Sequence, residues 1–358
     1  MSKKIYILFI VAVIIVGVLL LLRYMGDNKK TKYIAPTVPV TLSDEPIQLE
    51  DGLSAVQVEG DYRFESFLEK GGAASDKEVV QFLAENIIGY EIDGGIFRSL
   101  FGCSTVSVES PQGDRLFGRN FDWNKCNAMI VMSKTNNGYH SISTVNEDFI
   151  KSGVGNFYNK LPQEIKNIAA IYAPLDGMNE KGLAVAVNMI QDNSTIEQNS
   201  EKPDITTTTA VRLLLDKAST TDEAIKLLSE YDMHASMGYM IHFVISDALG
   251  HSVCVEYINN EMSVIETPVV TNFYLTEGEK YGIGTEQSHE RYSILMDKLS
   301  KSQQMSVDGV RDALDAVSKD NFRGFESTEW SIVFNQTSGE VNYYHRENFE
   351  NKYIFNVK

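Results

Sequence analysis

The chain has 358 residues, enough for one large or two small globular domains, and its 43% hydrophobic and 10% aromatic content indicates a packed core rather than disorder. Its 32 Lys and Arg against 49 Asp and Glu give a net charge of −17, which repels phosphate backbones and argues against nucleic acid as a partner. The three cysteines, Cys103, Cys126 and Cys254, do not form a disulfide framework, and no His or Cys has a metal-binding spacing, so we expect no metal and no cofactor.

The N-terminal stretch from Ile5 to Leu22 contains 18 consecutive residues without a charge. At about 1.5 Å per residue, a helix of that length nearly spans a hydrocarbon core of about 30 Å. It is longer than the apolar region of a usual signal peptide, and no small-residue cleavage site follows it. We therefore expect an uncleaved membrane anchor over residues 1–23, with a removed signal peptide as the alternative. Basic residues on both sides leave the orientation undetermined.

The following residues, 24–46, are polar, contain two prolines and show no apolar period, as is typical of a linker. Ordered structure is expected to begin near Ile47. Further along, Ser75 and Glu78 form a capping box, which predicts a helix that runs to about Ile88 with its apolar residues on one face.

Residues 102–123 predict a β-hairpin, because two apolar runs flank a Pro-Gln-Gly-Asp turn. Cys103 lies on the first strand, and Arg119 and Asp122 return beside it on the second. A cation beside a thiol favours the nucleophilic thiolate, and a carboxylate there can hold an amine. Gly102 suits a backbone that must be strained or attacked. The same residues also fit a buried core cysteine beside a salt bridge of the hairpin.

The pattern after the hairpin changes from strands to helices and back to strands. Strands are predicted at 128–133, 140–145, 183–189, 238–246, 252–258 and 262–267, helices at 207–217 and 221–231, and a turn at 176–182. Recurrent parallel βαβ alternation is absent from this order, which therefore indicates an α+β fold with layers of sheet covered by helices.

The hairpin sequence G-C-S-T-V-x-V-E-S-P-x-G-x-x-L-F-G-R-N-F-D-W resembles the nucleophile hairpin of the cysteine-type N-terminal-nucleophile (Ntn) hydrolases. These linear amide C-N hydrolases include the choloylglycine (bile salt) hydrolases, penicillin V acylases and acid ceramidase. Further matches follow in family order at 178–188, 269–273, 288–292 and 328–344. The resemblance covers Gly102 to Val357. It implies an Ntn αββα sandwich, in which two antiparallel sheets lie between helix layers.

The resemblance also implies a self-cleavage reaction at Gly102 and Cys103. The thiol attacks the Gly102 carbonyl, and an N-to-S shift gives a thioester and a new α-amine on Cys103. Water then hydrolyses the thioester and frees the thiol. An α-amine has a pKa of about 7.7 to 8.0, so it can serve as the base near neutral pH. In this interpretation Arg119 favours the thiolate and Asp122 orients the α-amine.

Three later residues complete the catalytic set that the resemblance implies. Asn272, with the backbone region of Asn188, stabilises the oxyanion of the tetrahedral intermediate, and Arg291 helps to hold the site. Without the resemblance, Asn188 fits a polar residue at a strand end and Arg291 fits the surface of a helix.

The predicted organisation is a membrane anchor at 1–23, a linker at 24–46, a pro-segment at 47–102, as in acid ceramidase, and a catalytic domain at 103–358. The predicted activity is that of an EC 3.5.1-type amidohydrolase acting on N-acyl amides with an apolar acyl group, such as N-acyl amino acids, fatty acid amides or bile salts. By analogy with exported relatives, the catalytic domain is placed outside the cytoplasm. An acyltransferase and a non-enzymatic membrane-anchored binding protein are the alternatives, and a homo-oligomer is left open.

Overall fold

The computed structural model describes residues 37–88, 102–319 and 326–358. Within these ranges no helix is both long enough and apolar enough to cross a membrane. The anchor predicted at Ile5 to Leu22 lies outside the described residues and stays a prediction.

The strands and helices are numbered along the described chain. The strands are β1 Thr37–Pro39, β2 Ile47–Glu50, β3 Leu53–Glu59, β4 Gly102–Glu109, β5 Arg115–Trp123, β6 Ala128–Lys134, β7 Ser141–Asn146, β8 Asp176–Asn179, β9 Ala184–Met189, β10 Asp204–Thr206, β11 Asp232–His234, β12 Ile241–Ser246, β13 Ser252–Ile258, β14 Glu261–Glu266, β15 Val269–Val270, β16 Ser327–Asn335, β17 Glu340–His345 and β18 Lys352–Asn356. The α-helices are α1 Phe64–Glu69, α2 Asp76–Leu83, α3 Glu147–Val154, α4 Gln163–Ile171, α5 Thr207–Lys217, α6 Thr221–Ser229, α7 Glu286–Lys301 and α8 Val307–Asp315.

The strands form two large sheets and one small one. The first sheet has seven strands in the order β1-β18-β17-β16-β5-β4-β15, and the second has nine in the order β14-β13-β12-β9-β8-β7-β6-β3-β2. Strands β10 and β11 pair separately. Within the two large sheets, the described neighbours are antiparallel except for β1 beside β18 and β3 beside β6, which are parallel. The expectation of two purely antiparallel sheets was therefore wrong at these two pairs, both of which include chain that precedes Cys103.

Helices cover the outer faces of both large sheets. Helices α7 and α8 pack on the first sheet, and α4, α5 and α6 pack on the second, while β4 faces β9 between the sheets. Gly118 on β5 permits the close approach of α8, because a Cβ there would lie 2.6 Å from Cγ1 of Val310. The predicted sandwich of two sheets between helix layers is confirmed for the described residues.

Most of the locally encoded elements lie where the sequence predicts them. The hairpin is β4 and β5, and α5 has the predicted bounds 207–217. Ser75 caps α2 by accepting a hydrogen bond from the backbone N–H of Glu78. The expected turn at 176–182 was wrong in its first half, because residues 176–179 form the buried strand β8, which pairs with β7 and β9.

The chain before Cys103 is built into the same core as the chain after it. Strand β3 pairs with β6 over seven residues, from Leu53 beside Ala128 to Glu59 beside Lys134. The hydroxyl of Tyr62 donates to the buried carboxylate of Asp216 at 2.7 Å. Strand β1 lies within residues 24–46, which the sequence assigned to a linker. The segment 37–88 is thus an integral part of the described fold.

Candidate active site

The Gly102–Cys103 peptide lies at the N-terminal end of β4. Cys103 lies opposite Phe121 on β5, and Gly102 lies opposite Asp122. Because side chains alternate along a strand, Cys103 faces the interior between the sheets, together with Phe121 and Arg119. Asp122 faces the helix side. Cys103 is buried, with 2% of its surface exposed.

Two side chains hold the backbone of Cys103. Its N–H donates to Oδ1 of Asn272 at 2.6 Å, and its carbonyl oxygen accepts from Nη1 of Arg291 at 2.6 Å. Nη2 of Arg291 also donates to Oδ1 of Asn272 at 2.8 Å. Ser288, one turn before Arg291 on α7, accepts from the backbone N–H of Asn272 at 2.7 Å. The S-x-x-R motif therefore places both residues on one helix face, where both hold Asn272.

Asp122 is a fully buried carboxylate beside two cations. Its Oδ1 accepts from the hydroxyl of Thr328 at 2.7 Å, and its Oδ2 lies 3.6 Å from Nη1 of Arg291 and 3.9 Å from Nζ of Lys319. Oδ2 accepts no hydrogen bond from the described residues. Burial raises the pKa of Asp122, while the charges of Arg291 and Lys319 act to lower it. Among the described residues, Oδ2 is therefore a buried acceptor without a donor, beside the Gly102–Cys103 peptide.

Lys319 is a site residue that the sequence analysis missed. Its side chain is buried, and its Nζ forms an ion pair with Oε1 of Glu326 at 2.7 Å. A Cβ added to Gly102 would collide with the end of the Lys319 side chain and would lie 2.8 Å from Oδ2 of Asp122. A larger residue at position 102 would therefore make the ends of the Lys319 and Asp122 side chains shift. No local sequence pattern marks Lys319 as a site residue, because Asp122, the site residue that it faces, lies on β5, far away in the chain.

Arg119 and Asn188 form a second buried cluster. Arg119 lies on the Cys103 face of the hairpin, but it donates to Oδ1 of Asn188, to the carbonyl of Val187 at 2.8 Å and to Oδ2 of Asp176 at 3.4 Å. Burial raises the pKa of Asp176, and Arg119 opposes that shift. Asn188 in turn donates to the carbonyl of Thr271 at 3.3 Å, next to Asn272. The guanidinium of Arg119 is therefore hydrogen-bonded to residues of β8 and β9.

The predicted site residues thus fall into two groups. Cys103, Asp122, Asn272 and Arg291 surround the Gly102–Cys103 peptide, whereas Arg119 is bound by Asn188 and its neighbours on β8 and β9. The Nδ2 of Asn272 donates to the carbonyl of Met189 at 2.6 Å, so the atom of Asn272 that faces the backbone of Cys103 is its carbonyl oxygen. Asn272 therefore orients the nitrogen of Cys103.

Among the described residues, three side chains lie close enough together to hold a metal ion: His242, Cys254 and Glu256. They are fully buried on the inner face of β12 and β13. Nδ1 of His242 lies 3.1 Å from Oε1 of Glu256 and 3.4 Å from Sγ of Cys254. These atoms already satisfy one another, so the cluster is complete as a hydrogen-bonded group.

An apolar cavity of about 140 Å³ lies between helices α2, α3 and α4. Phe149 lines it, and the edge of that ring contacts Trp123, with 4.6 Å between centroids. Trp123 stacks on Phe121 at 5.9 Å, and Phe121 is the cross-strand partner of Cys103. Aromatic rings therefore connect the cavity to the strand position opposite the thiol. A cavity of this size and lining is suited to a small apolar group.

Comparison with known proteins supports the resemblance seen in the hairpin. The family model described as acyl-coenzyme A:6-aminopenicillanic acid acyl-transferase matches residues 108–349, more than half of the chain. A search of curated proteins finds no match.

Several solved structures share the fold. Two variants of conjugated bile acid hydrolase from Clostridium perfringens are 16% and 17% identical, each with a TM-score of 0.53, covering 71% of this chain and 92% of that one. Penicillin V acylase from Agrobacterium tumefaciens is 17% identical, with a TM-score of 0.51, covering 71% of this chain and 86% of the other. At these identities the similarity shows the fold alone. The recognition of an Ntn-hydrolase fold is confirmed.

Proposed function

Because the chain belongs to the acyl-coenzyme A:6-aminopenicillanic acid acyl-transferase family, we propose that it is an Ntn enzyme that cleaves its own Gly102–Cys103 bond. It then hydrolyses linear N-acyl amides through an acyl thioester on Cys103. The observation that carries the proposal is the set of contacts around one Gly-Cys peptide. There Asn272 binds the Cys103 nitrogen, Arg291 binds its carbonyl, and Asp122 lies beside Gly102.

Self-cleavage begins when Sγ of Cys103 attacks the carbonyl carbon of Gly102. The C–N bond breaks, the nitrogen of Cys103 takes the thiol proton, and a thioester joins Gly102 to Sγ. Water then hydrolyses the thioester to a Gly102 carboxylate and a free thiol. The new amine is held by Oδ1 of Asn272 and by the carboxylate of Asp122, whose Oδ2 has no donor in the part of the chain that the structure describes.

Turnover repeats the same chemistry on a substrate. The α-amine of Cys103 accepts the thiol proton, Sγ attacks the amide carbon, and the amine product leaves with that proton. An amide nitrogen carries two hydrogens, so the Nδ2 of Asn272 has a second hydrogen for the oxyanion besides the one donated to Met189. Water resolves the acyl thioester to a carboxylic acid. Arg291 holds Asn272 and Cys103 in position during self-cleavage and turnover.

The acyl group is proposed to be apolar. The cavity between α2, α3 and α4 supports this choice, because its lining is predominantly hydrophobic. The family description favours a second candidate, an acyltransferase in which an amine resolves the thioester instead of water. Product analysis with and without added amine acceptors separates the two activities.

Residues 1–23 are proposed to anchor the enzyme to a membrane, with its catalytic part on the extracytoplasmic side. The proposal is based on the uncharged run from Ile5 to Leu22. Retention in the membrane fraction after alkaline carbonate extraction supports it, and release into the soluble fraction contradicts it.

The test of the function is the intact mass and N-terminal sequence of the full-length chain purified in detergent. Wild type is expected to yield a fragment that begins at Cys103, and Cys103→Ala is expected to stay whole. Cys126→Ala is the matched control, because Cys126 is equally buried but lies away from the scissile peptide. Cleaved wild type is then screened for release of carboxylic acid from N-acyl amides. A wild-type chain that stays intact over several pH values would refute the mechanism and favour the binding-protein alternative.

The two fragments are expected to remain together after cleavage. The pairing of β3 with β6 and the bond from Tyr62 to Asp216 hold the N-terminal part to the catalytic part. Size-exclusion chromatography should show one peak containing both fragments, which separate only in denaturant. Two peaks in native buffer would contradict this expectation.

The self-cleavage rate is expected to fall as the pH is lowered and Asp122 becomes protonated. Replacement of Lys319 by methionine is expected to move this fall to higher pH. The Asp122 carboxylate must be ionised to hold the new ammonium group, and Lys319 is one of the cations that lower its raised pKa. Without that charge the pKa of Asp122 rises further. The measurement is the cleavage rate of freshly synthesised chain between pH 4 and 8.

Two variants serve as controls for the Lys319 result. Lys319→Arg keeps the charge and should keep the fall in rate at the same pH. Glu326→Gln removes a charge that raises the pKa of Asp122, so its fall in rate should move to lower pH. A Lys319→Met profile that coincides with wild type would contradict the prediction.

A further inference from the structure

A buried polar row runs across the second sheet beneath the site. Asn188 on β9, His242 on β12 and Glu256 on β13 are direct cross-strand neighbours, and all three side chains are fully buried. Buried polar groups are costly unless they are hydrogen-bonded, so the partners of this row are informative about its role.

His242 and Glu256 hold the chain on both sides of Asn272. Nε2 of His242 lies 2.8 Å from the carbonyl oxygen of Thr271, and a carbonyl only accepts, so Nε2 carries a proton. The carboxylate of Glu256 accepts from the backbone N–H groups of Leu275 at 2.8 Å and Thr276 at 2.9 Å. The segment 271–276 is therefore fixed before and after Asn272.

A contact between His242 and Glu256 links the two points at which they hold the segment 271–276. Nδ1 of His242 lies 3.1 Å from Oε1 of Glu256. Burial acts to raise the pKa of Glu256, but His242 and the backbone donor of Leu275 outweigh it and lower the pKa to about 2. The carboxylate is therefore ionised at neutral pH, which strengthens the hydrogen bonds that it accepts from the backbone of the segment 271–276.

We propose that His242 and Glu256 are a positioning pair for Asn272, and through Asn272 for the nitrogen of Cys103. The pair touches neither Cys103 nor the scissile peptide. It fixes the segment whose side chain binds that nitrogen, in the uncleaved chain and during turnover. The proposal rests on the proposed function and extends it to residues that the hairpin and its motifs do not include.

The experiment compares three variants for self-cleavage and for turnover of the best N-acyl amide found in the screen. His242→Leu removes the bond to Thr271 and is expected to slow both reactions by roughly 10- to 100-fold, the scale of a small displacement of a catalytic group. Because substrate contacts are unchanged, kcat should fall while KM stays within about threefold. His242→Gln keeps a donor near the Nε2 position and is expected to recover most of the lost rate.

Cys254→Ala is the matched control within the same cluster. Cys254 is as deeply buried as His242, and its described hydrogen-bonding contacts are with His242 and Glu256 rather than with the segment 271–276. Its rates are expected to stay within about threefold of wild type, since truncation alone leaves the segment attached. Thermal unfolding of each variant sets a working temperature at which all are folded.

The outcomes separate this proposal from the proposed function. If wild type cleaves itself but His242→Leu and His242→Gln match its rates, the positioning pair is refuted and the function stands. The same conclusion follows if Cys254→Ala loses as much activity as His242→Leu, or if KM rises while kcat is unchanged. If wild type does not cleave, the proposed function fails first.

Discussion

Replacement of Asp122 by asparagine is expected to slow self-cleavage and turnover by roughly 10⁴-fold, the scale of loss when the carboxylate that orients a catalytic base is replaced by an amide. Asp122 lies beside Gly102, and its Oδ2 has no hydrogen-bond donor among the described residues. When the Gly102–Cys103 bond breaks, the nitrogen of Cys103 becomes a cationic donor at this position. Asparagine is nearly isosteric, but it has no charge to stabilise that cation.

The fold is expected to tolerate this change better than the chemistry does. The hydroxyl of Thr328 can still donate to the side-chain oxygen of residue 122, as it does to Oδ1 in the wild type. Arg291 and Lys319 lose a shared counter-charge, although Lys319 keeps its ion pair with Glu326. Circular dichroism should therefore report a folded chain that remains uncut.

The measurement is the rate at which the fragment beginning at Cys103 forms, followed by mass spectrometry. Asp114→Asn is the matched control, because Asp114 lies in the same hairpin at its far end, where Oδ2 accepts from Asn335 at 3.0 Å. That variant should cleave at the wild-type rate. An Asp122→Asn chain that cleaves within about tenfold of wild type would exclude Asp122 from the proposed mechanism.

The part of the site that could be predicted from the sequence alone is its local part. The hairpin at 102–123 is encoded by apolar runs around a turn, so its register brings Asp122 opposite Gly102 without help from the rest of the chain. Asn272 and Arg291 come from elements more than 160 residues away in the chain, at separations of 169 and 188 from Cys103. Such contacts have no local signal, and only the family resemblance identified them.

What the sequence could not provide is the pairing between distant strands. Strand β3 joins β6 across about 70 residues in parallel, and β1 joins β18 at the far end of the chain. Short apolar segments do not specify their partners, so the segment before Cys103 was predicted as a separate pro-segment. The strand β8 was taken for a turn because Asp176, Gly177 and Asn179 are turn formers by type, although all four of its residues are buried.

Replacement of Arg119 by methionine is expected to lower the free energy of unfolding by about 3–5 kcal/mol, the usual loss when one partner of a buried ion pair is removed. Arg119 has no exposed surface, and its guanidinium is bound by Asp176, Asn188 and the carbonyl of Val187. Its removal leaves the buried Asp176 without its cation, although Nε1 of Trp330 still donates to it at 2.9 Å. The measurement is urea unfolding followed by tryptophan fluorescence.

The double variant Arg119→Met/Asp176→Asn distinguishes a structural role of Arg119 from a catalytic one. Removing the unpaired carboxylate should recover much of the lost stability, because neither charge is then left alone in the core. If Arg119 acts only by holding β5 to β8 and β9, self-cleavage should recover with stability. If instead it favours the thiolate, as the spacing of the hairpin suggests, the double variant should be stable but slow. A single Arg119→Met variant that is as stable as wild type would contradict the structural role that its three buried partners indicate.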